Sequence, residues 1–239
     1  TILRDRLKHF ELEHEVHNLW NSSVAAACKA RDKFGTGRVA GSIGPLIASY
    51  RPDICPPVEE ASKIYEEKVE SIAPKVDLLL VETVCSLKQA KGVLAATDKS
   101  NKPVWISFSV DDINGTKLRS GENLEDVEAV INNHLVEAVL INCSPPEAVD
   151  NALPILSKMG KAFGAYANGF SKISSEFLKT RPTVDALTAR QDLGPEEYSN
   201  FVANWIRNGA SIVGGCCEIG PTHISRIAQK IHALGYKTI

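Results

Sequence analysis

The stretch "EAVLINCSPPEAVDNALPILSKMG" (residues 137–160) contains the pattern that organises this chain. Its first part, 137–144, is a short apolar run that ends in polar and reactive side chains, which predicts a buried β-strand. Two prolines then open a segment of helical periodicity at 145–158, and proline is favoured in the first turn of a helix. The stretch therefore predicts one strand–helix unit with Cys143 at the carboxyl end of the strand.

The same alternation recurs along the chain. Further apolar runs that predict strands lie at 38–45, 76–83, 104–110, 161–169 and 210–217. Further segments of helical periodicity lie at 12–34, 57–73, 84–98, 122–134, 195–208 and 221–234. Continuous apolar strands that alternate with helices are typical of a parallel sheet covered on both faces, so the sequence predicts an α/β fold. The one long irregular connection, 169–194, is either a lid or a surface excursion.

Composition and charge exclude several classes of function. The chain has 239 residues, of which 27 are basic and 29 acidic, and its formal charge of −2 comes without a Lys/Arg-rich run. Such a balance argues against a nucleic-acid partner. No apolar run approaches the roughly 20 residues of a membrane span, and the charged N-terminus is unlike a signal peptide. We therefore expect a cytoplasmic protein without nucleic-acid or membrane partners, which could form a homo-oligomer.

Reactive side chains collect at the predicted carboxyl ends of the strands, the edge where α/β proteins keep their sites. The residues at these ends are Ser42, Glu82, Ser109, Cys143, Asn168 and Cys216. Six cysteines are too dispersed for the disulfide framework of a small secreted protein. Metal binding or catalysis is therefore the better hypothesis for the adjacent pair Cys216 and Cys217.

Gly214 and Gly215 precede this pair and allow the strand to break, so that both thiols can reach one point. Cys143 is a third candidate ligand, because alternate strands of a βα-barrel contribute side chains to the same layer. Three thiolates around Zn2+ leave one tetrahedral position open for a substrate. Two alternatives stay open: Cys143 is a buried apolar residue beside a chance pair, or the pair is a redox couple.

The motifs "VAGSIGP", "LLLVETV", "LINCSPPEAV", "AYANG" and "GGCCEIGPTHISRIA", in this order, resemble the zinc-dependent homocysteine S-methyltransferase family over about residues 30–235. The resemblance implies a TIM-type (β/α)8 barrel and an enzyme that methylates the thiol of homocysteine to form methionine. It also implies zinc as the cofactor, with Cys143, Cys216 and Cys217 as the ligands. The form "INCSPPEAV" is closer to the branch that uses S-methylmethionine or S-adenosylmethionine than to the betaine branch.

The implied chemistry explains this choice of residues. A free thiol is mostly protonated at neutral pH, whereas a thiol bound to zinc loses its proton. The methyl donor should be a cation, because transfer to a thiolate neutralises charge on both partners, and on this ground we expect a sulfonium. A non-catalytic relative that binds zinc or substrate, or a betaine-type homocysteine methyltransferase, are the alternatives.

The resemblance also implies substrate-binding residues. Glu82 should receive the amino group of homocysteine, since a buried carboxylate needs a charged partner, although an exposed charge near a helix start is the simpler alternative. Asn142 either orients the metal site or makes a structural hydrogen bond. Asn168, with Tyr166, matches a Tyr-x-Asn motif of the family. Ser42 lies in a glycine-rich loop that suits close approach of a substrate or merely a tight turn.

The remaining residues and the chain start complete the predictions. His223 should serve capping or packing, and Cys28, Cys55 and Cys85 have no partner motif. Six predicted strands compare with the eight of a barrel, and the Asp-Gly-Gly strand that begins family members does not occur. We therefore expect residues 1–239 to be a single homocysteine-binding barrel domain that is N-terminally incomplete, lacking the first two strands, with the gap beside 38–45.

Overall fold

The computed structural model describes residues 4–179 and 184–238. Six strands form one sheet in chain order, and the pairs β1–β2, β4–β5 and β5–β6 are parallel. The strands are β1 (Ala40–Ile43), β2 (Leu78–Val84), β3 (Val104–Phe108), β4 (Val136–Asn142), β5 (Ala162–Tyr166) and β6 (Ile212–Val213). All six predicted strands are present, and the predicted α/β class is confirmed.

Helices alternate with these strands. They are α1 (Arg4–His9), α2 (Val16–Phe34), α3 (Val58–Ile72), α4 (Leu87–Thr97), α5 (Val127–Ile131), α6 (Pro146–Leu156), α7 (Pro195–Arg207) and α8 (Pro221–Ala233). Every predicted helix is present. The sequence did not predict α1, whose six residues bury no side chain and therefore show no apolar face. The segment predicted at 122–134 is helical only in part, as a 3-10 turn followed by the five residues of α5.

Local sequence explains where several helices begin and end. In α6 the first helical residue is Pro146, as the two consecutive prolines predict. The side chain of Ser86 accepts a hydrogen bond from the backbone N–H of Gln89, 3.1 Å away, and so caps the start of α4. Gly35, with φ of 93°, takes the left-handed conformation that ends α2. These signals are local to the helix ends and can be read from the sequence.

The first of two compact units contains the described residues up to 106 together with 126–137. Its core includes the buried aromatic rings of Trp20 on α2 and Tyr65 on α3. Close packing of α3 on α4 depends on Gly92, because a Cβ at this position would lie 2.9 Å from the Cβ of Ala61. This unit contains β1, β2 and their helices, and therefore both Ser42 and Glu82.

The second unit contains residues 107–125 and the described residues from 138 onward. In it α7 packs on α8, and the buried Trp205 donates a hydrogen bond of 2.7 Å from Nε1 to Oδ1 of Asp150 on α6. The strands β5 and β6 approach closely at Gly164, where a Cβ would lie 1.7 Å from the backbone oxygen of Ile212. This unit contains all three cysteines of the predicted metal site.

The last strand is much shorter than the predicted 210–217, since its regular part is only Ile212–Val213. Backbone hydrogen bonds nevertheless continue beyond it, from the N–H of Gly214 to the oxygen of Ala165 (3.1 Å) and from the N–H of Cys216 to the oxygen of Ala167 (2.9 Å). The chain therefore leaves the regular ladder but stays alongside the end of β5.

The connection 169–194 includes residues 180–183, which lie outside the described ranges. Its two ends are joined by a short antiparallel bridge between Phe170 and Ala189 and by a hydrogen bond of 3.0 Å from the N–H of Ser171 to the oxygen of Thr188. Whether the connection acts as a lid stays a prediction. Within the described ranges, no helix is both long enough and apolar enough to cross a membrane.

The contact at Gly164 leads to a stability prediction. Gly164→Ala should lower the free energy of unfolding by about 2 kcal/mol or more, because the new methyl group meets backbone rather than a movable side chain. Gly220→Ala is the matched control, since a Cβ there meets no atom within 4 Å. Urea unfolding of both variants measures the difference, and equal stabilities would contradict the close strand approach.

Candidate metal and substrate site

Three thiols from distant parts of the chain meet in the second unit. The Sγ atoms of Cys143 and Cys216 are 2.7 Å apart, those of Cys216 and Cys217 are 3.9 Å apart, and all three lie within 4.8 Å of one another. None forms a disulfide. Over residues 4–179 and 184–238, this is the one cluster of three or more cysteine, histidine or acidic side chains placed closely enough to hold a metal ion.

The cluster fits a zinc ion in donor type and nearly in spacing. Tetrahedral zinc with bonds of 2.3 Å places neighbouring sulfurs about 3.8 Å apart, which the Cys216–Cys217 separation of 3.9 Å matches. The separation of Cys143 and Cys216 would have to widen by about 1 Å to reach the same tetrahedral value. Cys143 is buried and Cys217 is exposed, so the cluster is accessible from one side. Such a three-thiol set leaves room for a fourth ligand.

Charge in the cluster is shared unequally among the thiols. The pKa of Cys217 is lowered because its thiolate accepts hydrogen bonds from the thiols of Cys143 and Cys216. Hydrogen bonds with Cys143 and Cys217, together with burial, raise the pKa of Cys216. One proton therefore leaves the cluster readily, whereas full ionisation requires a compensating positive charge such as a metal ion.

The backbone of Cys143 is what turns its thiol toward the pair. Its φ of 50° lies in the left-handed region, directly after the last residue of β4. Its carbonyl oxygen accepts hydrogen bonds from Oγ of Ser109 and from Nη2 of Arg119, both at 3.2 Å. Ser109 is visible in the sequence as a polar residue at a strand end, but nothing in the local pattern around Arg119 predicts this contact.

Tyr198 on α7 holds the segments that present Cys216. Its buried hydroxyl group accepts a hydrogen bond from the N–H of Ala167 (3.0 Å) and donates one to the carbonyl oxygen of Gly214 (2.8 Å). The chain ends of β5 and β6 are thereby tied to one helix. No sequence motif predicts this role, because both partners of the hydroxyl are backbone atoms.

The two glycines before the pair contribute space rather than an unusual φ. A Cβ on Gly215 would lie 2.1 Å from Cγ2 of Ile219, whereas one on Gly214 would make an ordinary contact. The left-handed residue of this turn is Glu218, with φ of 66°, immediately after Cys217. The predicted break in the strand is therefore present, but its strained residue follows the cysteines instead of preceding them.

The two asparagines of the predicted site are buried in the second unit. Asn142 is the last residue of β4 and precedes Cys143, and it is paired in register with Tyr166 on β5. The side-chain oxygen of Asn168 accepts a hydrogen bond from the backbone N–H of Phe170 (3.2 Å). The backbone N–H of Asn168 donates to the backbone oxygen of Ser144 (3.1 Å). Asn168 therefore shapes the loop after β5, whatever it also contributes to a substrate.

Ser42 and Glu82 meet in the first unit. The parallel register pairs Ser42 with Leu80, so Ser42 and Glu82 lie on the same face of neighbouring strands, and the hydroxyl of Ser42 donates to Oε1 of Glu82. Thr83, directly after Glu82, has a left-handed φ of 60°. That Glu82 and the cysteines serve one substrate stays a prediction.

A cavity of about 330 Å³ lies beside Ser42. Its lining includes Trp20 and Lys68, whose Nζ lies 5.7 Å from the centre of the Trp20 ring. Burial lowers the pKa of Lys68 to about 8. The edge of the first unit at β1 therefore combines an aromatic surface with a desolvated cation.

The other predicted residues stand apart from the thiol cluster. His223, near the start of α8, packs edge-on against the ring of Tyr198, with centroids 6.1 Å apart, and its Nε2 lies 3.2 Å from the oxygen of Leu193. This contact agrees with the predicted packing role. Cys28, Cys55 and Cys85 lie outside the cluster, and none of them forms a disulfide.

Comparisons with known proteins point in one direction. The family model described as homocysteine S-methyltransferase matches residues 1–231. A homocysteine S-methyltransferase 1 from Brassica oleracea var. italica is 27% identical over 91% of this chain and 72% of its own length. The homocysteine S-methyltransferase YbgG from Bacillus subtilis (strain 168) is 28% identical over 93% of this chain and 73% of its own.

A solved structure shows the same fold. The metallated form of the homocysteine methyltransferase MmuM from Escherichia coli superposes with a TM-score of 0.76 at 24% identity. The match covers 95% of this chain and 75% of that one. The arrangement of strands and helices described above is therefore the arrangement of that enzyme, over nearly the whole of the present chain.

The hydroxyl of Tyr198 provides a test of how the site is supported. Tyr198→Phe should lower the free energy of unfolding by about 2 kcal/mol, because it leaves the buried N–H of Ala167 and the partly buried carbonyl oxygen of Gly214 without this partner. Tyr236→Phe is the control, since Tyr236 is 47% exposed and should change stability by less than about 0.5 kcal/mol. Chemical denaturation measures both, and an unchanged midpoint for Tyr198→Phe would contradict the supporting role of this hydroxyl group.

Proposed function

Because the chain belongs to the homocysteine S-methyltransferase family, we propose that it transfers a methyl group from a sulfonium donor to the thiol of homocysteine. The donor is S-methylmethionine or S-adenosylmethionine, and the product is methionine. The observation that carries the proposal is the convergence of Cys143, Cys216 and Cys217 within 4.8 Å. Three thiols without a disulfide are a donor set for zinc with one position left for substrate.

The proposed cofactor is Zn2+, which when bound would withdraw the proton from the substrate thiol and keep it as a thiolate. The residues of the chain supply the geometry. Cys143 is held by its left-handed backbone and Cys216 by the segments tied to Tyr198. Cys217 is the exposed member, so substrate can approach from its side of the cluster.

The transfer itself needs little further acid–base chemistry. The sulfur lone pair of homocysteine forms a bond to the methyl carbon, and the bond from that carbon to the donor sulfur breaks. The electron pair of the broken bond returns to the donor sulfur, which becomes a neutral thioether. Because an anion and a cation become two neutral thioethers, a poorly hydrated site favours the transition state over the separated charges. A cationic donor follows from this charge balance.

Substrate orientation is the proposed task of the polar residues. Glu82 would pair with the ammonium group of homocysteine, and the hydroxyl of Ser42, which donates to its Oε1, would hold the carboxylate in place. Asn142 and Asn168 would orient the metal ligands and the substrate from the ends of β4 and β5, as amides beside metal sites commonly do. Tyr166 belongs to the same edge.

The setting of the reaction follows from the same proposal. We infer that the protein works on small molecules in the cytoplasm, as part of methionine biosynthesis, without a nucleic-acid or membrane partner, and that residues 1–239 belong to a single homocysteine-binding barrel domain. Homo-oligomer formation is compatible with this function. A catalytically inactive relative and a betaine-type enzyme are the other candidates, and the choice of methyl donor separates them.

Metal content and product formation test the proposal together. Reduced protein should bind one equivalent of zinc and form methionine from homocysteine with S-methylmethionine or S-adenosylmethionine. Cys216→Ser should lose most of both, because a site with two strong ligands holds zinc poorly. Cys28→Ser is the control, since its thiol lies outside the cluster and donates a weak hydrogen bond to the oxygen of Lys75 at 3.6 Å. Zinc is measured by elemental analysis and methionine by chromatography.

Each alternative gives a different result in that assay. Methionine formed only with betaine would assign the betaine branch, and zinc binding without product from any donor would assign an inactive relative. A Cys216→Ser variant that keeps zinc at the stoichiometry of the unmodified protein would refute the ligand assignment. Rapid loss of thiols to a Cys216–Cys217 disulfide, with no metal bound, would favour the redox couple.

The role of Glu82 is a separate prediction. Glu82→Gln should weaken homocysteine binding by about 2 kcal/mol, or roughly 30-fold, at the lower end for charge pairs because Glu82 is only half-buried. Zinc content should not change. The binding of 4-mercaptobutyrate, which lacks the amino group, should be the same in both proteins. Calorimetry of each thiol measures the affinities.

Glu59→Gln provides the matched control, because Glu59 is an exposed carboxylate of the same unit, on α3. It should bind both thiols as the unmodified protein does. If Glu82→Gln binds homocysteine with unchanged affinity, Glu82 does not receive the ammonium group. If it weakens both thiols equally, its effect is on the shape of the site and not on recognition of the amine.

A further inference from the structure

Cys143 occupies a backbone conformation that a cysteine does not adopt without support. Its φ is 50°, in the left-handed region, where the side chain of a non-glycine residue crowds its own backbone. Residues held in this region persist when their surroundings determine the conformation from several directions. The groups that hold the peptide unit of Cys143 therefore decide where its Sγ points.

Two side chains hold the carbonyl oxygen of Cys143. Oγ of Ser109 and Nη2 of Arg119 both lie 3.2 Å from it. The same guanidinium group binds Ser109 through Nε, which donates to Oγ at 2.7 Å. Arg119, Ser109 and the Cys143 carbonyl thus form a closed ring of hydrogen bonds, in which each group fixes the other two.

Asp112 completes the arrangement. Its Oδ1 accepts a hydrogen bond of 2.5 Å from Nη2 of Arg119, and its Oδ2 accepts one of 2.8 Å from the N–H of Ile173. The side chains of Arg119 and Asp112 are only 10% and 17% exposed. Because the Asp112 carboxylate balances the charge of the Arg119 guanidinium group, the pair adds little net charge near Cys143. Its main effect is to orient the guanidinium group.

The next peptide unit is held as well. Oγ of Ser144 accepts a hydrogen bond of 3.0 Å from the N–H of Val110, and the carbonyl oxygen of Ser144 accepts one from the N–H of Asn168 at 3.1 Å. The turn after β4 is therefore fixed on both sides of the Cys143 carbonyl. Of these supports, only Arg119 reaches that carbonyl, Ser109 and a carboxylate at once.

We infer that Arg119 is the positioning residue of the thiol cluster. It holds the Cys143 carbonyl together with Ser109, keeps the left-handed backbone in place and thereby directs Sγ of Cys143 toward Cys216. The inference rests on the proposed function, since it assumes that the cluster binds a metal. It assigns a role to a residue of the β3–β4 connection that acts on the cluster through the Cys143 carbonyl.

Metal affinity of the reduced, metal-free protein is the test. Arg119→Met should weaken zinc binding by about 10–100-fold in competition with a chelator, the usual loss when a group that orients a metal ligand is removed. Arg119→Lys should also weaken binding, because an ammonium group lacks the fork that reaches three acceptors. The absorption spectrum of the Co2+-loaded protein should change in both variants, since Sγ of Cys143 would no longer be held in one geometry.

Arg190→Met is the matched control. The side chain of Arg190 is 16% exposed, belongs to the same unit and binds two carboxylates, those of Glu147 and Asp192, but it does not contact the Cys143 carbonyl. This variant should bind zinc with unchanged affinity. Equal losses in Arg119→Met and Arg190→Met would mean that any buried arginine matters to the fold, and would overturn the inference.

Ser109→Ala keeps the test decisive if Arg119→Met does not fold. It removes one donor to the same carbonyl and should weaken zinc binding by about 2–10-fold, the effect of one hydrogen bond. Unchanged zinc affinity and an unchanged Co2+ spectrum in a folded Arg119 variant, or in Ser109→Ala, would refute the positioning role. Failure of the unmodified protein to bind zinc would instead refute the proposed function from which this role follows.

Discussion

Three sulfur atoms within 4.8 Å of one another are the constraint on which the rest of the site depends. The chain must bring Cys143 and Cys216 together across 73 positions, and it does so by ending two strands of one parallel sheet at the same edge. Ionised thiols at this spacing repel one another, so the cluster is unfavourable unless a cation or bound protons compensate the charge. A fold that keeps such a cluster must hold each cysteine against that repulsion.

The site side chains are oriented mainly by the backbone directly after the strands. Three residues there have a left-handed φ. Thr83 directly follows Glu82, Cys143 directly follows β4, and Glu218 directly follows Cys217. Strained backbone of this kind collects at functional sites because it turns a side chain in a direction that a regular strand cannot offer. Three strand ends use the same device, although only one of the three residues is itself a candidate ligand.

Much of the fold could be predicted from the sequence, because its signals are local. The apolar run before Asn142 predicts β4, the prolines at 145 and 146 predict the start of α6, and alternation along the chain predicts the α/β class. The predicted length of β6 was wrong, because the apolar residues continue to 217 while the regular hydrogen-bond ladder with β5 ends at Val213. The local sequence of one strand does not show where its pairing with a neighbouring strand ends.

The candidate site divides in the same way. Cys143, Cys216 and Cys217 could be found from their residue types and their places at strand ends, and the structure brings them together. Tyr198 and Arg119 could not, because the contacts through which they support the site go to backbone oxygens of segments distant in sequence, and the pattern of side chains does not reveal such contacts. The candidate ligands of the site can thus be predicted, while the residues that hold them in place require coordinates.

The spread of the thiols along the chain also sets an order of events during synthesis. Chains emerge from the ribosome from the amino terminus, and domains begin to fold as they emerge. The turn that carries Cys143 can form as soon as Arg119 and Ser109 are available, since both precede it in sequence. Cys216 and Cys217 are translated more than 70 residues later, as the separation of 73 positions requires. If the cluster binds a metal as proposed, loading is a late step, because the ion can be held only after Cys216 and Cys217 have joined a turn in which Cys143 is already oriented.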